Sequence, residues 1–415
     1  MDASGDWGLA AQNADTLSMT DVVISNNPTG GMYISAGSAT LTDVSIVDNT
    51  AYGLYADSTD IDIIGSEISR TVWSSATTQG DGLGVVSANG SEINLDGTLV
   101  EDNDLIGAYA NASSAVHIVN ATVRGGLYSV YIYEGEVSIT DSEVIDGYNH
   151  GLYIVSYDPV VIEGLDLSGD PKNTVEVLDE DWGVESNFGT GGLIVADDIT
   201  ITDSTVTGYN DCGLLLVEEN DGLGTAALER VSFVDNRRRG LYTLTDTTAV
   251  DVEVSGIIEA EDQAGTAGGP CSDAGNYVGV LVGSASLDWT GGSVTDNEGY
   301  GFSALYSEVS IDGLTASNNR CSSMLNFYGT ATIANTDFSY PGIGTDFSAS
   351  VVDYYSEATT ITDSTFSESQ TEYDDVTVYN SGATTYEYIY YETAGTDIYS
   401  IYGGGLSISG TSFTN

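Results

Sequence analysis

Carboxylates and tyrosines are the side chains through which this chain could do chemistry: 63 Asp and Glu and 27 Tyr stand against 8 Lys and Arg, 2 His and 3 Cys in 415 residues. The adjacent pair Asp197-Asp198 supplies the residue type that glycoside cleavage uses, one carboxyl as acid and another as base or nucleophile. Arg238, the centre of Arg237-Arg238-Arg239, offers a guanidinium fork for a uronate or a sulfate. It equally suits local charge compensation, with Asp211 one repeat earlier as a partner. Recognition is a different chemistry. Tyr373, Tyr386, Tyr388, Tyr390 and Tyr391 are interleaved with Glu372, Asp374, Asp375, Glu387 and Glu392, and Trp73 and Trp182 lie in two further loop segments. Rings that pack on sugar C–H faces beside carboxylates that accept from hydroxyls would make a glycan-binding set. The plainer reading is a β-rich flap over 386–391, with tryptophans that pin loops. Asp21 and Asp43 recur at one phase of a repeat, so they would stand ~5 Å apart, within bridging reach of Ca²⁺. They are also ordinary turn residues. No cofactor is required by any of these residues; calcium is the one ion they would admit.

Composition removes several function classes. The formal net charge is −55, and eight cations scattered among 63 anions cannot neutralise phosphate, so nucleic acid is excluded as a partner. Anionic lipid is repelled for the same reason. No apolar run approaches the ~20 residues a membrane-spanning helix needs. His117 and His150 are the only histidines, too few for a multi-His metal centre. His117, between Val116 and Ile118, is expected to face solvent. Three cysteines, Cys212, Cys271 and Cys321, are odd in number and build no disulfide framework. The Lys-poor, Asp-rich composition favours an extracellular or cell-surface setting, where salt or divalent ions screen self-repulsion. Met1 to Asp6 carries no export signal.

The elements that must position these residues are set by internal repetition. One phrase, apolar-x-(Asp/Gly/Asn)-x-x-apolar, recurs fifteen times, centred on Asp21, Asp43, Gly65, Gly97, Asn120, Asp141, Gly164, Asp203, Arg230, Asp251, Gly291, Gly313, Asn335, Asp363 and Gly410. Two residues before each centre and three after it, every residue is apolar, from Leu41 and Ile46 in the second repeat to Ile361 and Phe366 in the fourteenth. Around the phrase, apolar and polar residues alternate, as in Val137-Ser-Ile139-Thr-Asp141, which is the period of strands. A further strand in each repeat follows glycine, as in Gly53-Leu-Tyr, Gly151-Leu-Tyr and Gly240-Leu-Tyr. Three short strands per repeat predict an all-β solenoid of about fifteen coils.

This pattern resembles the right-handed parallel β-helix proteins, the pectin-lyase-like superfamily in the broad sense, across essentially the whole chain. The wording of the coils, such as GGMYISAGSATLTDVSIVDNT over Gly30 to Thr50, is also similar to repeats of bacterial surface β-helix proteins, including polymorphic outer-membrane proteins. Phe233-Val-Asp-Asn236 matches their Phe-x-x-Asn motif. The resemblance implies one single-stranded right-handed parallel β-helix over residues 1–415. The order of motifs in β-helix polygalacturonases is not met, because Asn149-His150-Gly151 comes first and Asn335-Thr336-Asp337 last. With no polar cap after Thr414-Asn415, the chain reads as a fragment of a longer protein.

Insertions mark where function is expected, since extra residues in a solenoid are displaced onto one face. They fall at about 70–81, 168–190, 218–224, 261–276, 340–350 and 367–396, five of the six at one corner. The expectation is a non-enzymatic extracellular or cell-surface module that binds a glycan or a surface protein through this loop-bearing edge. A polysaccharide lyase or glycoside hydrolase acting on an anionic polysaccharide is the alternative, with Asp197, Asp198 and Arg238 as its candidates. A structural spacer or filament subunit that associates end to end is the third.

Overall fold

The computed structural model describes residues 7–73, 82–169, 189–219, 224–258, 277–339, 349–367 and 396–414. All regular structure among them is β. Most coils hold three strands, the Gly-Leu-Tyr strand being taken as the first; in the second and third coils the first two run together as Gly30–Thr42 and Tyr52–Ile64. In the sixth coil the three are Tyr128–Tyr133, Glu136–Thr140 and Glu143–Ile145. Every strand pairs in parallel with its equivalent one coil away, as Tyr131 with Tyr153, Ile139 with Ile162, and Val144 with Leu167. The chain divides into two compact units, residues 1–226 and 227–415. Among the described residues the first unit holds eight complete coils and the second holds six.

The corner between second and third strands explains the recurring phrase. All fifteen centres have left-handed backbone, with φ between 45° and 74°. Glycine, asparagine and aspartate adopt that region at least cost, which is why fourteen of the fifteen are of these types. Thirteen of the centres also hand their N–H to the next coil: Asp43 donates to the Ile64 carbonyl at 3.0 Å, and Asp251 to the Thr290 carbonyl at 2.9 Å. The flanking apolar residues point inward. In coils two to fourteen all of them are buried, among them Leu41, Ile139, Trp289, Phe338 and Phe366.

The interior is not wholly apolar. At the end of the third strand an asparagine turns inward and satisfies backbone groups that the corner would otherwise strand. Asn103 accepts from the Thr71 N–H at 3.0 Å and donates to the Ile68 carbonyl at 3.3 Å while fully buried. Within the third strands the inward stack is apolar, as in Phe338, Phe366 and Phe413 at centroid separations of 4.9 and 5.0 Å.

Candidate functional site: a tyrosine face on the first strands

Five of the six insertions lie between a third strand and the next first strand, for example between Ser168 and Thr190, and the sixth lies between Val217 and Thr225. The outer face of the first strands therefore adjoins the corner where the loops leave. In the first unit that face is aromatic. Alternation along each strand sends Val130 and Ile132 inward to full burial and leaves Tyr131 half-buried on the outside. In-register pairing then aligns Tyr33 with Tyr55, and Tyr109 with Tyr131 and Tyr153.

The rings stack along the coils. Tyr131 and Tyr153 are 4.6 Å apart and 6° from parallel; Tyr109 and Tyr131 are 5.8 Å and 24° apart. A second row, three residues earlier, buttresses the first edge-on: Tyr128 meets Tyr131 at 5.1 Å and 80°, and Tyr52 meets Tyr55 at 5.4 Å and 89°. Trp7 stacks on Tyr52 at 5.8 Å. His150 continues the second row, 5.6 Å from Tyr128 and nearly parallel to it.

The electrostatics of the face are those of uncharged groups. Burial raises the phenol pKa values of Tyr55, Tyr109, Tyr131 and Tyr153 above the ordinary value. Burial also lowers His150 to about 4, so its imidazole is neutral at pH 7. The His150 Nδ1 is buried and makes no hydrogen bond. One carboxylate borders the rings: Asp57 accepts from the Tyr33 hydroxyl at 2.8 Å and from Asn89 Nδ2 at 2.9 Å. Hydrogen bonds from Asn89 and then Tyr33 hold its carboxyl below the usual carboxylate range. Aromatic edges, phenol hydroxyls and an acceptor suit a hydroxyl-rich ligand.

The residues expected from sequence are placed elsewhere. Tyr373, Tyr386, Tyr388, Tyr390, Tyr391 and Trp182 lie outside the described residues. Trp73 is 47% exposed, and its backbone N–H donates to Asp104 Oδ2 at 2.6 Å. Asp197 and Asp198 form the corner between a first and a second strand, where Thr225 Oγ1 donates to Asp198 Oδ1 at 3.3 Å and the Thr225 N–H to the Asp197 carbonyl at 2.8 Å. Arg238 immediately precedes the first strand Arg239–Thr243, its carbonyl accepting from Val278 at 2.8 Å. Its neighbour Arg239 sits over the Tyr242 ring, 5.3 Å from the centroid. Asp21 and Asp43 are both left-handed corner residues, with φ of 55° and 52°. Among the described residues no group of three or more His, Cys, Asp or Glu is arranged to hold a metal. His117 points outward, as alternation requires, yet it is half-buried rather than freely solvated, because Ser138 Oγ lies 2.7 Å from its Nδ1. Cys321 is disulfide-bonded, and Cys212 keeps a buried thiol that donates to the Leu214 carbonyl at 3.0 Å.

The tyrosine face is not among the sites expected from the sequence, although the Tyr of two Gly-Leu-Tyr phrases (Tyr55, Tyr153) is its signal. Only the register, which sets Tyr55 beside Tyr33 and Tyr153 beside Tyr131, turns the phrase into a surface.

A family model described as the right handed beta helix region matches residues 7–167. No curated protein is matched. Solved structures to which the chain is similar include the A-module of mannuronan C-5 epimerase AlgE4 from Azotobacter vinelandii, at 15% identity and TM-score 0.42, covering 74% of this chain and 86% of that one. The periplasmic alginate epimerase AlgG follows at 10% identity and TM-score 0.42, covering 92% of this chain and 76% of that one. The Agl-KA catalytic domain has 12% identity and TM-score 0.28, covering 91% and 62%. Residues 7–167 thus match the right handed beta helix region, and the parallel strand columns give each unit the fold of a parallel β-helix.

Proposed function

We propose that this chain is a non-enzymatic glycan-binding β-helix module working outside the cytoplasm. The observation that carries the reading is the outer first-strand face of the first unit, where Tyr33 and Tyr55 and, beyond Val86, Tyr109, Tyr131 and Tyr153 are held on strands beside the loop-bearing corner. Rigid aromatic side chains lose little entropy on binding, and their hydroxyls and edges meet sugar hydroxyls. Support for the location comes from the disulfide-bonded Cys321, since such bonds persist in oxidising compartments.

The test is a glycan array with the intact chain and with Tyr131→Ala and Tyr153→Ala. Specific retention that falls in both variants is expected. Binding that is unchanged in both, or absent from the wild type, refutes the reading. Time-dependent cleavage of an anionic polysaccharide, followed as unsaturated product or reducing ends, would instead favour a lyase or hydrolase.

A further inference from the structure

Four tyrosines of the second unit, Tyr306, Tyr328, Tyr355 and Tyr402, occupy the same corner of four successive coils, just after the first strand. All four have left-handed backbone, with φ of 56°, 56°, 51° and 56°. Several other corners after a first strand take that conformation: in the first unit Ala36, Ser58, Asn89 and Glu134 adopt it, and in the second Ser284 does so. A bulky aromatic residue is a poor choice there, because Cβ crowds the carbonyl oxygen. Four in succession point to a use for the rings themselves.

The rings form a ladder. Tyr306 and Tyr328 are 5.1 Å apart at 1°, Tyr328 and Tyr355 5.1 Å at 5°, and Tyr355 and Tyr402 4.8 Å at 12°. Phe327 and Tyr354 back them edge-on, at 4.6 Å from Tyr328 and 4.5 Å from Tyr355. The ladder is nonetheless exposed: 62% at Tyr306, 40% at Tyr328, 38% at Tyr355 and 62% at Tyr402. Stacking spends the ring faces on one another. What remains is a row of phenol hydroxyls and electropositive ring edges, one per coil.

We infer that this ladder binds an uncharged linear polysaccharide lying along the stack of coils. The inference rests on the glycan-binding reading above and adds a second contact strip and the class of ligand. A repeating row of hydroxyls and ring edges complements a polymer that repeats hydroxyls and ether oxygens. The charge of the flanks selects against anionic chains. The exposed Glu308 and Glu357 stand two residues beyond Tyr306 and Tyr355, and no Lys or Arg occurs in 305–308, 327–330, 354–358 or 401–406. Carboxylates there accept from sugar hydroxyls and repel uronates and sulfates.

Affinity electrophoresis of the full chain tests this, with a neutral linear β-glucan in one gel and alginate or polygalacturonate in others. The double variant Tyr328→Asn/Tyr355→Asn removes the two central rings and installs a residue suited to left-handed backbone. Its Kd for the β-glucan is expected to rise at least tenfold with no fall in Tm, while Tyr157→Ala, which removes an exposed ring outside both aromatic surfaces, is retarded as the wild type is. Wild-type retardation of the double variant overturns the proposal, as does retardation by the anionic polymers alone. Retardation that disappears only in Tyr131→Ala overturns the ladder and leaves the first-unit face standing. No retardation by any glycan overturns both.

Discussion

Asn49 takes two hydrogen bonds from Asn27, one coil earlier, through a single oxygen: the Asn27 backbone N–H lies 3.1 Å and its Nδ2 2.9 Å from Asn49 Oδ1. Asn49 Nδ2 in turn donates to the Ile24 carbonyl at 3.1 Å. The second unit repeats the device, with Asn297 Nδ2 donating to Asn319 Oδ1 at 2.8 Å and Asn319 Nδ2 to the Val294 carbonyl at 3.0 Å. Replacing Asn49 by Ala removes the acceptor of a part-buried N–H and the donor to a buried carbonyl, so a loss of about 1–3 kcal/mol in urea unfolding is expected. Asn49→Asp should fail as well, since a carboxylate accepts from Asn27 but offers Ile24 no donor. Wild-type stability in Asn49→Ala would refute the role of the side chain.

Arg230 is the one corner centre that is not Asp, Asn or Gly, yet it has φ of 54° like the rest. Its exposed pairing with Glu229 contributes little. Arg230→Asn should therefore raise stability by about 1 kcal/mol, the left-handed penalty it relieves. The converse exchange, Asp141→Val, places a β-branched residue at φ 45° and should lower it. Thermal unfolding of both variants measures the pair of opposite shifts.

Acid should act on His150 in a defined window. Its pKa falls from 6.5 to about 4 on folding because burial disfavours the charged ring. Between those values the unfolded chain binds the proton and the folded chain does not, so this contribution is complete above pH 6.5 and declines as pH falls toward 4. The full loss is on the order of 3 kcal/mol. His150→Phe keeps an aromatic ring and cannot titrate. Its stability should fall less than that of the wild type across this range, and parallel pH profiles would contradict the assignment.

Salt should stabilise the chain without chemical preference. A net charge of −55 is self-repulsive, and added ions screen it. Calcium chloride and sodium chloride at matched ionic strength are expected to raise Tm alike. A calcium shift well beyond that of matched sodium, lost in Asp21→Asn or Asp43→Asn, would reveal a specific site at that corner.

Much of the fold was legible because one period of strand, corner and strand is written fifteen times. Aspartate at 21, 43, 141 and 363 reports left-handed backbone, and the apolar residues around it report the interior. The functional surfaces were less legible, for two physical reasons. Tyr131 and Tyr153 become neighbours only through parallel register, which local patterns do not express. Tyr306, Tyr328, Tyr355 and Tyr402 contradict the usual residue choice for their backbone, and the insertions between coils break their spacing in the sequence. The tyrosines of 373–391, conspicuous in the sequence by their density, lie outside the described residues.

The corner bond between neighbouring coils, exemplified by the Asp43 N–H on the Ile64 carbonyl, has a genetic consequence. Each period offers its successor the same donors and acceptors that it receives from its predecessor. Replication slippage that drops or doubles one whole phrase thus exchanges one partner strand for an equivalent one, and no new contact has to be invented. Copy number can drift without unfolding the product, whereas a slip of a single residue turns an inward Ile or Val toward water and is eliminated.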